Sequence, residues 1–210
     1  MSKDSKVTRV PVMKTYKLYI GGAFPRTESG RFLKYEGGKG EFLANVCRGS
    51  RKDFRNAVVA ARKAQHGWAA RSAFNRGQIL YRMAEMLESR AAGFEQLLVD
   101  VADYNKDDAK REVEVSIDRL IYYAGWSDKF HQVFGCTNPV ASPHFNFTFP
   151  EATGVVASLT SKTSPLLGLI SAMAPIIVSG NTCVLIVDNA APMVSIDFAE
   201  VLHNSDLPGG

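Results

Sequence analysis

Thr153-Gly154-Val155-Val156-Ala157-Ser158-Leu159 and, further on, Gly180-Asn181-Thr182-Cys183-Val184-Leu185-Ile186-Val187 decide the fold of this chain. Each is a short apolar run entered from Gly, the pattern of a strand buried on both faces of a parallel sheet. Between them Pro165 to Ser179 reads as a helix, with Pro in its first turn, a break or bend at Pro175, and Gly180-Asn181 as its stop. Ser195 to His203 reads as a second helix. The stretch from Thr153 to Asn204 is therefore a βαβα unit. Two parallel strands are too few for stability, so another strand is expected after the turn Leu207-Pro208-Gly209-Gly210. Ligands of such sheets lie beyond the carboxyl ends of the strands, and much of that edge is expected beyond Gly210.

Upstream the period changes. Tyr16 to Phe24 alternates and turns at Gly21-Gly22, reading as a small strand or hairpin, and Gly37-Gly38-Lys39-Gly40 marks a loop without the G-x-x-x-x-G-K-[ST] spacing of a phosphate loop. Phe54, Ala57, Val58, Ala61, Ala64 and Trp68 then recur at helical spacing, with Ser50 as N-cap and Asp53 in the first turn. A second helix follows Ser72 and puts Ile79, Leu80, Met83, Met86 and Leu87 on one face. Phe94 to Val101 gives a third. A fourth, from about Val113 to Phe130, buries Val113, Ile117, Leu120, Ile121 and Ala124. Phe145, Phe147 and Phe149 alternate with Asn146 and Thr148 between Pro143 and Pro150, a period-two strand.

Composition narrows the function classes. The chain has 210 residues, 46% hydrophobic and 22% charged, which is that of a globular protein and excludes disordered and collagen-like classes. The longest apolar run, Pro165 to Val178, is shorter than the roughly 18 residues of a membrane span, and the charged start, Met1 to Lys6, is no secretory signal; the expected location is the cytoplasm, with no membrane partner. Residues 1–76 hold 17 Lys and Arg against 5 Asp and Glu, but these are scattered among helix positions and form no binding module, so no nucleic-acid partner is expected. Cys47, Cys136 and Cys183 lie far apart and suit packed thiols better than a disulfide framework or zinc site. Asp103 to Asp107 with Glu114 comes near a calcium-loop template, but Asp108 stands where Gly is needed and Lys110 and Arg111 bring positive charge. A solvated helix start is the better reading, and no metal is expected.

Four stretches together resemble the aldehyde dehydrogenase superfamily, over about Tyr16 to Gly210. They are Tyr19-Ile20-Gly21-Gly22-Ala23-Phe24, Ala57 to Trp68 with Asn75-Arg76, Tyr122-Tyr123-Ala124-Gly125-Trp126-Ser127-Asp128-Lys129, and Gly180-Asn181-Thr182 with Leu207-Pro208-Gly209-Gly210. The resemblance implies an α/β fold: a partial Rossmann-like domain lacking G-x-G-x-x-G, with helices before an incomplete parallel sheet and a projecting β-hairpin used for subunit contacts. On this basis 1–15 is an N-terminal tail, 16–134 the helical and hairpin part of the cofactor-binding domain, 135–154 the projecting oligomerisation hairpin, and 155–210 the first βαβα unit of the sheet.

The resemblance also implies a site, and here the chain departs from the family pattern. The family's oxyanion-binding Asn corresponds to Thr163 in Thr160-Ser161-Lys162-Thr163-Ser164-Pro165, and its ribose-binding Lys and Glu correspond to Ile186 and Asn189, with Asp188 one position off. Ile186 has no hydrogen-bonding group and Asn189 keeps only part of a carboxylate's acceptor capacity. Ser161, Lys162, Thr163, Asp188 and Asn189 are the remaining candidates for NAD or NADP, with weak or absent binding expected. Ser161, Lys162 and Thr163 before the Pro165 helix offer an anion site at a helix N-terminus, but a solvated capping turn is the better reading. The family's nucleophilic Cys and general-base Glu follow the Leu-Pro-Gly-Gly turn, so a shortened, non-catalytic homologue is expected, forming a homo-oligomer or an assembly with a full-length aldehyde dehydrogenase. A fragment of an active NAD(P)-dependent enzyme is the alternative.

Overall fold

The structure, a computed structural model, describes residues 12–36 and 40–210. Most of the expected tail and the centre of the expected Gly37 to Gly40 loop lie outside the described residues. Gly40 itself is in a bend with φ +75°.

The first sheet has the order β1-β3-β2, from β1 (Thr15–Tyr16), β2 (Phe32–Glu36) and β3 (Phe42–Cys47); β1 runs parallel to β3, and β2 antiparallel to it. Neither β2 nor β3 was expected. The anticipated Tyr16 to Phe24 hairpin shrinks to one bridge, Ile20 with Ala23, because Tyr16 pairs with β3 instead. Gly21 and Gly22 make its turn at φ +61° and +75°, backbone that side chains disfavour.

Helices α1 (Arg51–Ala69), α2 (Ala73–Ser89), α3 (Ala91–Ala102) and α4 (Lys106–Ala124) follow. Ser50 and Asp53 form a capping box on α1, in which each side chain accepts the other's backbone N–H. Ser72 caps α2 and Asn105 caps α4. The helix start expected near Asp103 is present, with Asn105 accepting from the Asp108 N–H. It lies earlier than Val113 because that cap opens the helix, and Gly125 closes it. Phe130 falls in a separate short helix, α5 (Phe130–Phe134). Ile121, expected inside, is 42% exposed, since no described element covers that flank of the last turn of α4.

Strands β4 (Cys136–Asn138) and β5 (Asn146–Thr148) form an antiparallel hairpin standing apart from both other sheets. Phe145, Phe147 and Phe149 are all exposed and form a ladder, with centroids 5.5 and 5.9 Å apart and His131 stacked on Phe149.

The expected βαβα unit is β6 (Val155–Leu159), α6 (Pro165–Val178), β7 (Thr182–Ile186) and α7 (Pro192–His203), with β6 and β7 paired in parallel. Helix α6 passes unbroken through Pro175, and the Ser179 hydroxyl bonds the carbonyls of Pro175 and Ile176 beyond it. The main core joins α2, α4, α6 and α7 around Leu80, Met83, Leu120, Ile170 and Phe198. Helix α1 takes the other face, where Thr182 Oγ1 bonds the Ala61 carbonyl at 3.0 Å. The sheet is not buried on both faces throughout: Ala157 is exposed and Leu159 is 75% exposed, because α1 covers only the amino half.

Arg76, 5% exposed, ties three segments together. Its guanidinium donates to the Val178 carbonyl at 2.9 Å, the Ala69 carbonyl at 3.3 Å and the Arg71 carbonyl, serving the carboxyl ends of α6 and α1 with no carboxylate partner among the described residues. Burial lowers its pKa from the ordinary value.

Candidate functional site

The loops leaving β6 and β7 are laced together. The Thr160 N–H donates to the Ile186 carbonyl at 3.1 Å, and the Asp188 N–H donates to Thr160 Oγ1 at 3.1 Å. Asp188 Oδ1 in turn accepts the Ala190 N–H at 2.8 Å, so one carboxylate oxygen is already engaged in its own turn. Ser161 Oγ accepts the Thr163 N–H at 3.2 Å and lies 3.1 Å from Thr163 Oγ1. Gly168 lets this loop press on α6, since a Cβ there would come within 2.6 Å of Ser161 Cβ.

These contacts bring Ser161, Lys162 and Asp188 around one depression with Thr160, Pro165 and Ser195, too small to hold a water molecule. Thr163 and Asn189 do not line it. Asn189 is exposed and its carbonyl accepts from the Tyr35 hydroxyl of β2. Ile186 is 45% exposed and is paired with the exposed Leu159, so this end of the sheet is apolar.

The N-terminus of α6 holds a group that no local sequence signal announced. Glu112, buried on α4, accepts the N–H groups of Leu166 at 2.9 Å and Leu167 at 3.2 Å through Oε1. The Tyr104 hydroxyl lies 2.6 Å from Glu112 Oε2 and 2.6 Å from the Thr163 carbonyl, and its single proton serves one at a time. Burial, with Glu112 adding to it, pushes the Tyr104 phenol up to about 12. The charge that a helix N-terminus favours is thus supplied from within the chain. Ser161, Lys162 and Thr163 form a turn beside it, and no side chain of that turn caps the helix.

None of the cysteines is placed for nucleophilic work at these loops. Cys47 is in β3 and Cys136 is on the hairpin, where its thiol donates to Asn138 Oδ1 at 3.2 Å. Burial pushes the Cys183 thiol up to about 12, leaving it protonated near neutrality. Among the described residues no group of three His, Cys, Asp or Glu is placed to hold a metal ion. No described helix is long and apolar enough to cross a membrane.

The family model of the aldehyde dehydrogenases matches residues 25–210, nearly the whole chain. The chain belongs to the aldehyde dehydrogenase family. It is 31% identical to DhaS of Bacillus subtilis, a protein assigned to the aldehyde dehydrogenases, over 93% of this chain and 40% of that one. It is 31% identical to the mitochondrial benzaldehyde dehydrogenase of Antirrhinum majus, over 95% of this chain and 38% of that one. Among solved structures, the NAD-dependent benzaldehyde dehydrogenase of Corynebacterium glutamicum superposes with a TM-score of 0.85 at 26% identity, over 92% of this chain and 42% of that chain. The NAD+ complex of a Bacillus cereus aldehyde dehydrogenase superposes at 0.87 and 24% identity, over 93% and 40%, and shares the fold. The chain therefore spans about 40% of the length of these relatives.

The residues at the strand ends do not fit a dinucleotide well. The ribose-binding positions implied by the resemblance are an apolar side chain, Ile186, and an exposed amide, Asn189, while one oxygen of Asp188 is committed to Ala190.

Proposed function

We propose that these residues serve assembly in an aldehyde dehydrogenase-type protein and do not themselves carry out aldehyde oxidation. The observation that carries this reading is the apolar carboxyl end of the sheet, where half-exposed Ile186 stands at the ribose-binding position beside exposed Leu159. A site built to pair sugar hydroxyls loses most of its affinity when its partners are hydrocarbon. Thr163 at the oxyanion position adds to this: its hydroxyl faces Ser161 Oγ, and removing one oxyanion donor costs about 100- to 1,000-fold in rate. The exposed phenylalanine ladder of β5 is the surface through which a homo-oligomer, or an assembly with a full-length aldehyde dehydrogenase, forms in the cytoplasm. Titration calorimetry with NAD and NADP tests the reading. No saturable heat is expected with either, and micromolar binding together with oxidation of an aldehyde such as benzaldehyde would overturn it.

A second reading is favoured by the share of the relatives that is matched. A chain spanning about 40% of their length, at 31% identity, is also what a segment of a longer NAD(P)-dependent aldehyde dehydrogenase looks like. Sequence beyond Gly210 containing a nucleophilic Cys and a general-base Glu would establish it.

A further inference from the structure

Helix α1 gathers onto one side basic residues that lie scattered in the sequence. At 3.6 residues per turn, Arg51, Arg55 and Arg62 fall within about 40° of one another around its axis, and Lys52 and Lys63 complete an arc of about 120°. All five are exposed. Val59, His66 and Ala69 share the arc, which holds no acidic side chain and no Phe, Tyr or Trp. The one acid of α1, Asp53, is buried off the arc and consumed by the capping box. Arg31 and Arg48, also exposed, stand just before the helix, the Arg48 N–H donating to the Arg31 carbonyl at 3.0 Å. Of these cations only Lys52 pairs with a carboxylate among the described residues, Glu28 at 3.4 Å.

Such a row is unfavourable for the helix by itself. Arg51 and Lys52 occupy the first turn, where the helix dipole favours acids, and Arg51 meets Arg55 at the i, i+4 spacing that makes like charges repel. A merely solvated face intersperses both signs, as the exposed start of α4 does with Lys106, Asp107, Asp108, Lys110, Arg111 and Glu114. An array of phosphates turns the repulsion into attraction. Apart from Lys63 the unpaired cations are all arginines, whose planar fork matches phosphate oxygens in pairs. From Arg51 to Lys63 the row spans about 18 Å, a length along which a nucleic-acid duplex carries about ten phosphates. Other phosphate-bearing surfaces fit less well. A helix docks on lipid by sinking an apolar face, and that face of α1, with Ala61 and Trp68, is already packed inside the protein, leaving Val59 as the one large apolar side chain on the arc. A single strand is held by aromatic platforms for its bases, which the arc lacks.

We propose that the arginine row of α1, with Arg31 and Arg48 at its amino end, is a docking surface for the phosphate backbone of a nucleic-acid duplex. Binding of this kind reads charge and spacing and not base sequence, since every contact is to phosphate. It runs against the expectation from sequence that there is no nucleic-acid partner, because the helical turn and not the order of residues brings the cations together. It is independent of the assembly reading above and uses neither the phenylalanine ladder nor the strand ends.

Fluorescence anisotropy of a labelled DNA duplex of about 20 base pairs, titrated with the intact chain at several salt concentrations, is the test. The logarithm of affinity is expected to fall with the logarithm of salt at a slope of about −5, close to −0.9 for each unpaired cation of the row. Arg51→Gln, Arg55→Gln and Arg62→Gln together should weaken binding at least about tenfold and flatten the slope by about 3. The same loss of charge placed on α4, as Lys106→Gln, Lys110→Gln and Arg111→Gln together, should change affinity by less than about threefold, with far-ultraviolet circular dichroism confirming the fold of both variants. No binding by the unaltered chain, or a slope flatter than about −2, would overturn the proposal. So would a loss in the α1 variant no larger than in the α4 variant, which would show that net charge alone is read. Binding to phosphatidylserine vesicles in a flotation assay, lost in the α1 variant and without binding to duplex, would overturn it in favour of a lipid surface.

Discussion

Glu112 and Leu166 are 54 residues apart in sequence, yet the carboxylate sits on the first N–H groups of α6. Charge-assisted bonds to otherwise unpaired helix donors contribute about 1.5–3 kcal/mol each way they are measured, so Glu112→Ala is expected to lower unfolding free energy by about 2–3 kcal/mol in urea titrations. The same substitution removes a partner of Tyr104. Ultraviolet titration of that phenol should show its midpoint falling from about 12 toward the ordinary 10.0. Because the folded value is raised, this contribution to stability is complete below pH 10 and disappears as pH rises through about 12. Asp53 behaves in the opposite sense. Burial alone would raise its pKa, but hydrogen bonds from Thr27 Oγ1 at 2.6 Å and from the N–H groups of Ser50 and Glu28 outweigh it and hold the carboxyl below its usual 3.8. That stability is present above pH 3.8 and is lost as pH falls through the lowered value. Asp53→Asn should therefore flatten the acid limb of stability measured against pH.

At the scale of elements, the hairpin β4–β5 can be separated from the rest, because its phenylalanines touch one another and His131 rather than the core. Replacing Phe145, Phe147 and Phe149 with Ser should change unfolding free energy by only about 0.5 kcal/mol per site, as exposed substitutions do, while the assembly proposed for this ladder predicts a smaller species in sedimentation velocity than the unaltered chain gives. The helices were legible from sequence where a cap and an apolar stripe coincide, as at Ser50 with Phe54 to Trp68 and at Ser72 with Ile79 to Leu87. The start of α4 was not, because its first turns are charged and only Asn105 marks them. Strands β2 and β3 escaped because Phe32–Glu36 presents its apolar Phe32 to solvent and pairs across a glycine-rich connection. Leu159 and Ile186 read as buried because an apolar run carries no information on how far a covering helix extends. Of the candidate site, Ser161, Lys162 and Asp188 were brought together as their positions implied, whereas Glu112, Tyr104 and Tyr35 reach it from elements distant in sequence, which no local pattern encodes.

In the whole molecule, the stretches that carry the family resemblance turn out to touch. The Gly21-Gly22 turn lies against Gly209, where a Cβ on Gly209 would come within 2.7 Å of the Gly21 carbonyl oxygen. Tyr19 and Phe24 pack on each other and on His203. Gly77, directly after Asn75-Arg76, meets the Ala124 to Ser127 turn so closely that a Cβ would be 2.5 Å from Ser127 Oγ and 3.0 Å from the Ala124 carbonyl oxygen. These residues preserve contacts between elements and contribute no reactive group. Gly77→Ala should cost about 1–3 kcal/mol through overpacking, seen as a lower Tm, although Ala favours helix over Gly by about 1 kcal/mol at an open site.

The clamp made by Arg76 has a consequence for how the chain meets proteases. The connection between α1 and α2 contains Arg71, a residue trypsin recognises, in a partly exposed link of the kind that is usually nicked. Cleavage requires the main chain to straighten into an active cleft. The Arg76 guanidinium grips the carbonyl of Arg71 itself and that of Ala69, and is anchored in turn on Val178 across the molecule. The peptide bond after Arg71 is expected to survive limited trypsin digestion while exposed sites elsewhere are cut. Arg76→Met, which keeps the buried hydrocarbon and removes the donors, should make it an early scission point in a timed digest read by mass spectrometry.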